Sequence, residues 1–331
     1  MVIRLGFTGD VMLGRLVDRR QRVREPEAVW GDVLSSMRAC DAMIINLECC
    51  LSTRGSPWTR TYRPFHFRAA PDWAVPALEA ANITLCALAN NHILDFEEPA
   101  LLDTLGYLDD AGIARVGAGR TLDGALEPAT FEVDGLTVGV VSFTDNTPEY
   151  AAKADQPGTA HIVIDTDRET TRSVVRDALD RTGRPDLLVA SLHWGPNMVE
   201  RPPASFRQFA RWLIEEGVDI VHGHSAHVFH GVEMYRGRPI LYDTGDFLDD
   251  YAVDERLRND RSFLFEITVT DEGTIRDVTL SPTEIYDCSV HHAPASVAAW
   301  SRTRMRERST EFGTRWERAN SGLHLPVSAD R

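Results

Sequence analysis

The stretch VDIVHGHSAHVFHG, residues 218–231, places His222, His224, His227 and His230 just after an apolar run. Imidazoles this dense suit metal binding or proton transfer, because histidine changes charge near neutrality and ligates metals readily. A metal site needs partners from elsewhere in the chain, and they occur at the ends of other apolar runs. Asp10 closes FTGD, Asn46 and Glu48 close IINLE, and Asn90, Asn91 and His92 close ALANNH. His193 closes ASLHWG, and Asp243 and Asp246 follow PILY. Taken singly, each has an ordinary explanation: GD and NN are turn dipeptides, and Asp10 is a natural helix cap. Repeated over so many strand ends the pattern points to one crevice, since ligands of layered α/β sheets sit at the carboxyl ends of strands.

The elements that must position these groups are legible as short apolar runs separated by helical patterns. Strands are expected at VIRLGFTG, DAMIINLE, ITLCALAN, LTVGVVSFT, DLLVASLHWG, VDIVHGH, RPILYDTG and SFLFEITVT. Several are apolar throughout, as strands buried on both faces are. Helices are expected at 99–111, 168–182, 204–216 and 296–312, the first three followed by Gly112, Gly183 and Gly217 at left-handed cap positions. This alternation predicts an α/β layered fold, and the consecutive strands of 259–287 make its later sheet mixed. Residues 1–312 read as one domain and 313–331 as a loosely ordered polar tail. The long irregular segments 52–72 and 144–160 are candidates for functional loops.

Composition narrows the function classes. Hydrophobic residues make up 43% and charged residues 26%, a globular balance. A formal net charge of −15 argues against nucleic acid and anionic membranes as partners. Nothing approaches the roughly 18 consecutive apolar residues of a membrane span. The N-terminus lacks the pattern of a signal peptide, so a cytoplasmic protein is expected. The five cysteines form no C-x-x-C pair and are expected to be reduced and mostly buried.

In order along the chain, TGDVMLGR, NLE, FRAAP, ANNH, HWG, GHSAHV and YDTGDF resemble the CapA (poly-γ-glutamate capsule synthesis) family, a branch of the calcineurin-like metallo-dependent phosphatases. The resemblance spans about residues 3–290. It implies an α/β/β/α sandwich of two mixed sheets with metal ligands on loops at the strand ends. It also implies metal-ligand roles for Asp10, Asn91, His193 and His224, and a place beside the substrate for His92. Met12 stands where a dinuclear phosphatase has histidine, Glu48 is the nearest carboxylate to a bridging aspartate, and the final His-x-His is stretched to His224 and His227. Oxygen donors dominate such a set, so one divalent ion is expected, Ca²⁺ before Mn²⁺ or Mg²⁺.

Three activities fit this reading. The first is hydrolysis of a phosphoester, a polyglutamate or a peptide amide, with His92 as general acid or base. The second is epimerisation: a metal polarises a carboxylate while two acid/base sets work on opposite faces of the adjacent carbon. The third is a peptide-binding protein with a degenerate site, disfavoured by the retention of so many ligand-grade residues. Epimerisation at the Cα of a peptide is the favoured expectation, because the chain also resembles the branch that includes the lasso-peptide epimerase, which inverts a precursor's C-terminal tryptophan. The expected acid/base pairs are Asp10 with His292, and Asp246 or Asp95 with His92. In the loop RGSPWTRTYRPFHFR, residues 54–68, Arg60, Arg63 and Arg68 are candidate carboxylate clamps and Trp58 an aromatic contact, with Trp194 as a further one.

Overall fold

The computed structural model describes residues 2–327. Val2–Val11 is the central strand of the larger sheet. It pairs parallel with Ala42–Leu47, which is followed by Ile83–Ala87 and Ala114–Val116, and antiparallel with Arg261–Thr270. Ile275–Tyr286 extends the antiparallel side. The smaller sheet runs in the order Val232–Tyr235, Arg238–Leu241, Ile220–His224, Leu187–His193, Leu136–Thr144 and Ala129–Val133.

Apolar-throughout strands serve two cores at once. In Ala42–Leu47, Ala42 and Ile44 pack into the layer between the sheets, while Met43, Ile45 and Leu47 face the helices outside. In Leu187–His193, Leu187 and Val189 join that same inner layer, and Leu188, Ala190 and Leu192 meet the helices Glu169–Arg181 and Ala204–Glu215. The side-chain period of two along a strand makes each strand a wall between two cores. The outer face of the larger sheet is covered by Pro71–Ala80 and Glu97–Asp110, through residues such as Trp73, Leu78, Leu101 and Leu105. The result is an α/β/β/α sandwich with two mixed sheets.

All five cysteines are buried and free. Among the described residues no helix is long and apolar enough to cross a membrane. The expectation of a loose tail from residue 313 is corrected. Gly322–Pro326 pairs antiparallel with Ile275–Tyr286, Leu323 is fully buried, and Trp316 donates its indole N–H to Ser309 Oγ at 3.0 Å. Leu323 and Leu325 alternate with polar neighbours and cap the inner core, a period-two signal too short to stand out in a polar stretch. Residues 328–331 of that expected tail lie outside the described residues.

Candidate metal centre

Strand register brings the strand-end residues together. Asp10 lies opposite Asn46 on one side and Asp246 on the other, and His193 lies opposite His224 in the second sheet. The chain leaving the second sheet joins the first beside Gly9: a Cβ on Gly9 would fall 1.7 Å from the Gly245 carbonyl oxygen, which instead accepts the Asp10 N–H at 2.9 Å. The loop after Ile220–His224 is bent sharply. Ser225 (φ +113°) and His227 (φ +62°) both occupy left-handed backbone, a strained arrangement for residues with side chains. The turn aims His227 back so that its Nδ1 sits 2.8 Å from Asp246 Oδ1 and 3.7 Å from Asp10 Oδ2.

Two overlapping ligand sets result, Asp10–His193–His224 and Asp10–Glu48–His227, each with donor atoms within 4.8 Å of one another. His193 Nδ1 and His224 Nδ1 face each other at 3.0 Å, and Asp10 Oδ1 lies 3.6 Å from the latter. Asn46 donates to Asp10 Oδ1 at 2.6 Å and Asn90 donates to Asn46 Oδ1 at 3.0 Å, so amides hold the carboxylate in place. Asp10 Oδ2, both carboxylate oxygens of Glu48, Asn91 Oδ1 and Asp246 Oδ2 are buried without a hydrogen-bond partner. Buried oxygens left unpaired are costly unless a cation satisfies them, so the donor set fits a divalent ion.

The electrostatics agree. Burial pushes the Asp10 carboxyl up to about 7, opposed by His227 and reinforced by Asp243. Glu48 and Asp246 are driven well above the carboxylate range by burial and by neighbouring carboxylates. Burial also holds His193 and His224 well below the usual imidazole value, which keeps them neutral as ligands must be. A cation reverses the cost of crowding these carboxylates.

His92 stands at the edge of this cluster. Its Nδ1 lies 2.6 Å from Asp95 Oδ2, its Nε2 lies 3.8 Å from Glu48 Oε1, and its ring stacks on Phe67 at 3.9 Å. Asp95 is fixed by the Phe67 N–H at 2.7 Å and the Tyr150 hydroxyl at 3.0 Å. Burial lowers the His92 pKa, with Asp95 pulling the other way. Above the cluster opens a cleft of about 560 Å³ whose lining includes Arg15, Arg63, Asn91, His92, His227 and Tyr251.

Not every candidate arrives there. His92 meets Asp95, but Asp246 pairs with His227 instead. His292 does not approach Asp10: its Nε2 is 3.0 Å from Ser36 Oγ and its N–H is bound by Asp32, because Ser289–His292 pairs with the outer strand Ile275–Tyr286. Arg60 turns outward to Glu98 at 2.9 Å, and Arg68 donates to the Arg54 carbonyl and covers Phe96. Trp58 is buried against Tyr150, and Trp194 is buried with its indole N–H on the Tyr242 carbonyl. Of the expected substrate contacts, Arg63 lines the cleft. His222 and His230 bond the carbonyls of Thr8 and Val199. Arg15 closes the TGDVMLGR stretch without any sign that it reaches the cleft, and Tyr251 carries no distinguishing sequence signal, because aromatic residues in loops are common.

Residues 4–251 match the model of the bacterial capsule synthesis protein PGA_cap family. The chain belongs to that family. Among its relatives, a probable polyglutamine synthesis accessory protein of Mycobacterium tuberculosis is 34% identical, over 95% of this chain and 93% of its own length. The PGA biosynthesis protein CapA of Bacillus subtilis is 28% identical, over 98% of this chain and 83% of its own. The capsule biosynthesis protein CapA of Bacillus anthracis is 25% identical, over 97% and 77%. In this PGA_cap chain the matched segment contains Asp10, Glu48, Asn91, His92, His193, His224, His227 and Asp246, the whole cluster described above.

Proposed function

We propose that this protein is a divalent-metal-dependent hydrolase that cleaves an amide bond of a glutamate-bearing peptide or polymer. The observation that carries the reading is the His92–Asp95 pair set beside a buried cluster of unpartnered carboxylate and amide oxygens at the floor of an open cleft. The relatives named for polyglutamine and PGA synthesis support an amide rather than a phosphoester as the bond attacked.

Asp10, Glu48, Asn91, His193 and His224 would hold the ion, which supplies Lewis acidity and lowers the pKa of water. A set with two imidazoles leans toward Mn²⁺, away from the calcium expected for oxygen donors alone. With Nδ1 bonded to Asp95, the His92 ring presents Nε2 to the cluster and to the cleft. Nε2 takes a proton from the attacking water and returns one to the departing amine. Water thus adds across the bond, hydroxyl to the carbonyl carbon and proton to nitrogen. Phe67, stacked on the ring, keeps solvent from its outer face.

A second reading rests on a separate observation. His227–Asp246 forms another imidazole–carboxylate pair, and both His92 and His227 line the cleft. Two such pairs suit removal of a proton from one face of a Cα and its return to the other, so the pair supports peptide epimerisation. One experiment separates the readings. Metal-loaded protein is incubated with γ-glutamyl and α-peptide oligomers in D₂O enriched in ¹⁸O. New amine with ¹⁸O in the new carboxylate is the expected outcome. Deuterium at Cα with inversion and no new amine favours epimerisation, and neither label in any oligomer overturns both.

A further inference from the structure

The cleft mouth holds two cations that the proton transfers do not use. Arg15 adopts left-handed backbone (φ +55°), a conformation a non-glycine residue keeps only when its surroundings impose it. Asp250 imposes it. One carboxylate oxygen accepts the Leu16 N–H at 2.9 Å, and the other lies 3.3 Å from Arg15 Nε. The guanidinium is thereby placed 5.4 Å from the Phe65 ring and 5.7 Å from the Phe67 ring. Asp250 engages Nε, and neither terminal nitrogen of Arg15 has a protein acceptor among the described residues. Arg63 lines the same cleft. It lies over Tyr150 at 4.8 Å and bonds Thr147 Oγ1 at 2.8 Å and the Asn91 carbonyl, and no carboxylate pairs with it among the described residues. Arginines elsewhere on the surface, such as Arg54, Arg176 and Arg181, are spent on carboxylates.

In a chain of net charge −15, two arginines with unused donors at one cleft mark it as a receptor for anions. We infer that Arg15 and Arg63 are specificity determinants that bind carboxylates on the residues flanking the reacting bond, with Asp250 as the positioning residue for Arg15. This deepens, and rests on, the reading of the site as one that acts on an acidic amide chain. The planar fork of arginine binds a carboxylate through two parallel hydrogen bonds, which selects a substrate with a repeated acidic side group over a neutral one. Where the floor carboxylates are ionised they repel such a chain, and a bound cation offsets that repulsion.

The test uses a fluorescently labelled hexa-γ-glutamate and its counterpart with every free carboxyl converted to amide, titrated against metal-loaded protein. The acidic oligomer is expected to bind about tenfold tighter or more, a preference that shrinks as salt rises from about 0.05 to 0.3 M. Arg15→Gln should lose most of that preference, Arg15→Lys part of it and Asp250→Asn part of it, with the neutral oligomer unaffected. Thermal melting checks that each variant folds. Equal affinity for both oligomers, or an Arg15→Gln variant that folds and keeps the full preference, overturns the inference. Tight, Arg15-dependent binding without release of amine sinks the hydrolytic reading and leaves the recognition role standing. Hydrolysis of acidic and neutral oligomers alike does the reverse.

Discussion

Under the proposed hydrolysis His92 would act through the nitrogen that Asp95 leaves free, and that placement makes a specific demand on pH. Burial favours the neutral imidazole, so His92 loses its proton below the ordinary value of 6.5. The neutral ring is the base. The rate should therefore rise with pH through a point below 6.5 and stay flat across neutrality, which a kcat–pH profile of the metal-loaded enzyme measures. His92→Ala should cost about 10²- to 10⁴-fold in kcat while bound metal per chain stays unchanged. A variant with full activity would remove His92 from the chemistry.

At the scale of elements, the centre depends on two backbones passing almost in contact. Gly9 and Gly245 allow Val2–Val11 to run beside the loop that ends in Asp246, and any side chain on Gly9 meets the Gly245 carbonyl. Gly9→Ala should therefore push the two segments apart, costing about 1–3 kcal/mol of stability and separating Asp10 from Asp246. Calorimetric melting together with metal stoichiometry tests this, the expected result being a lower Tm and loss of tight metal binding. Gly14 is a further close approach, since a Cβ there would lie 2.9 Å from the Arg68 amide nitrogen. The loop 54–68 is thus clamped against the turn that carries Arg15. The Arg68 side chain ties that loop to itself by donating to the Arg54 carbonyl.

The whole molecule should register the metal as stability. In metal-free protein the carboxyls of Asp10 and Asp243 titrate at about 7, against 3.8 for an ordinary aspartate. A raised carboxyl binds more protons folded than unfolded, so stability falls as pH rises toward 7. His222 and His230, lowered to about 4, act in the opposite direction between about 4 and 6.5 and add nothing above it. Above pH 6.5 the carboxyl effect stands alone, and chelated protein should lose stability toward pH 8. The metal-loaded form should not, because the cation stabilises the carboxylates as anions. The gap in Tm between loaded and chelated protein should widen from pH 6 to pH 8, each kcal/mol being worth roughly 2–4 °C or less at this size. A constant gap would mean that the Asp10 carboxyl does not hold the ion.

Periodicity and strand-end chemistry determined much of this protein by themselves. Strands buried on both faces announced their walls in runs such as AMIINL and LLVASLH. The polar residues closing those runs, Asp10, Glu48, Asn91, His193 and His224, were legible because a parallel register sends strand ends to one edge. The helix ending near Asp110 and its glycine cap at Gly112 (φ +69°) were readable from local backbone chemistry. What only the tertiary structure decided is which of these groups face one another. His292 looked as available as His227, yet antiparallel pairing carries it to Ser36, while the strained turn at Ser225 and His227 delivers the other to Asp246. Asp250 lies far from Arg15 in sequence, Arg15 merely closes the TGDVMLGR stretch, and Leu323 sits in a polar stretch, so nothing local marks the contacts they make. Sequence spacing records which face of an element a residue occupies, whereas contacts between distant elements depend on register, turn geometry and packing.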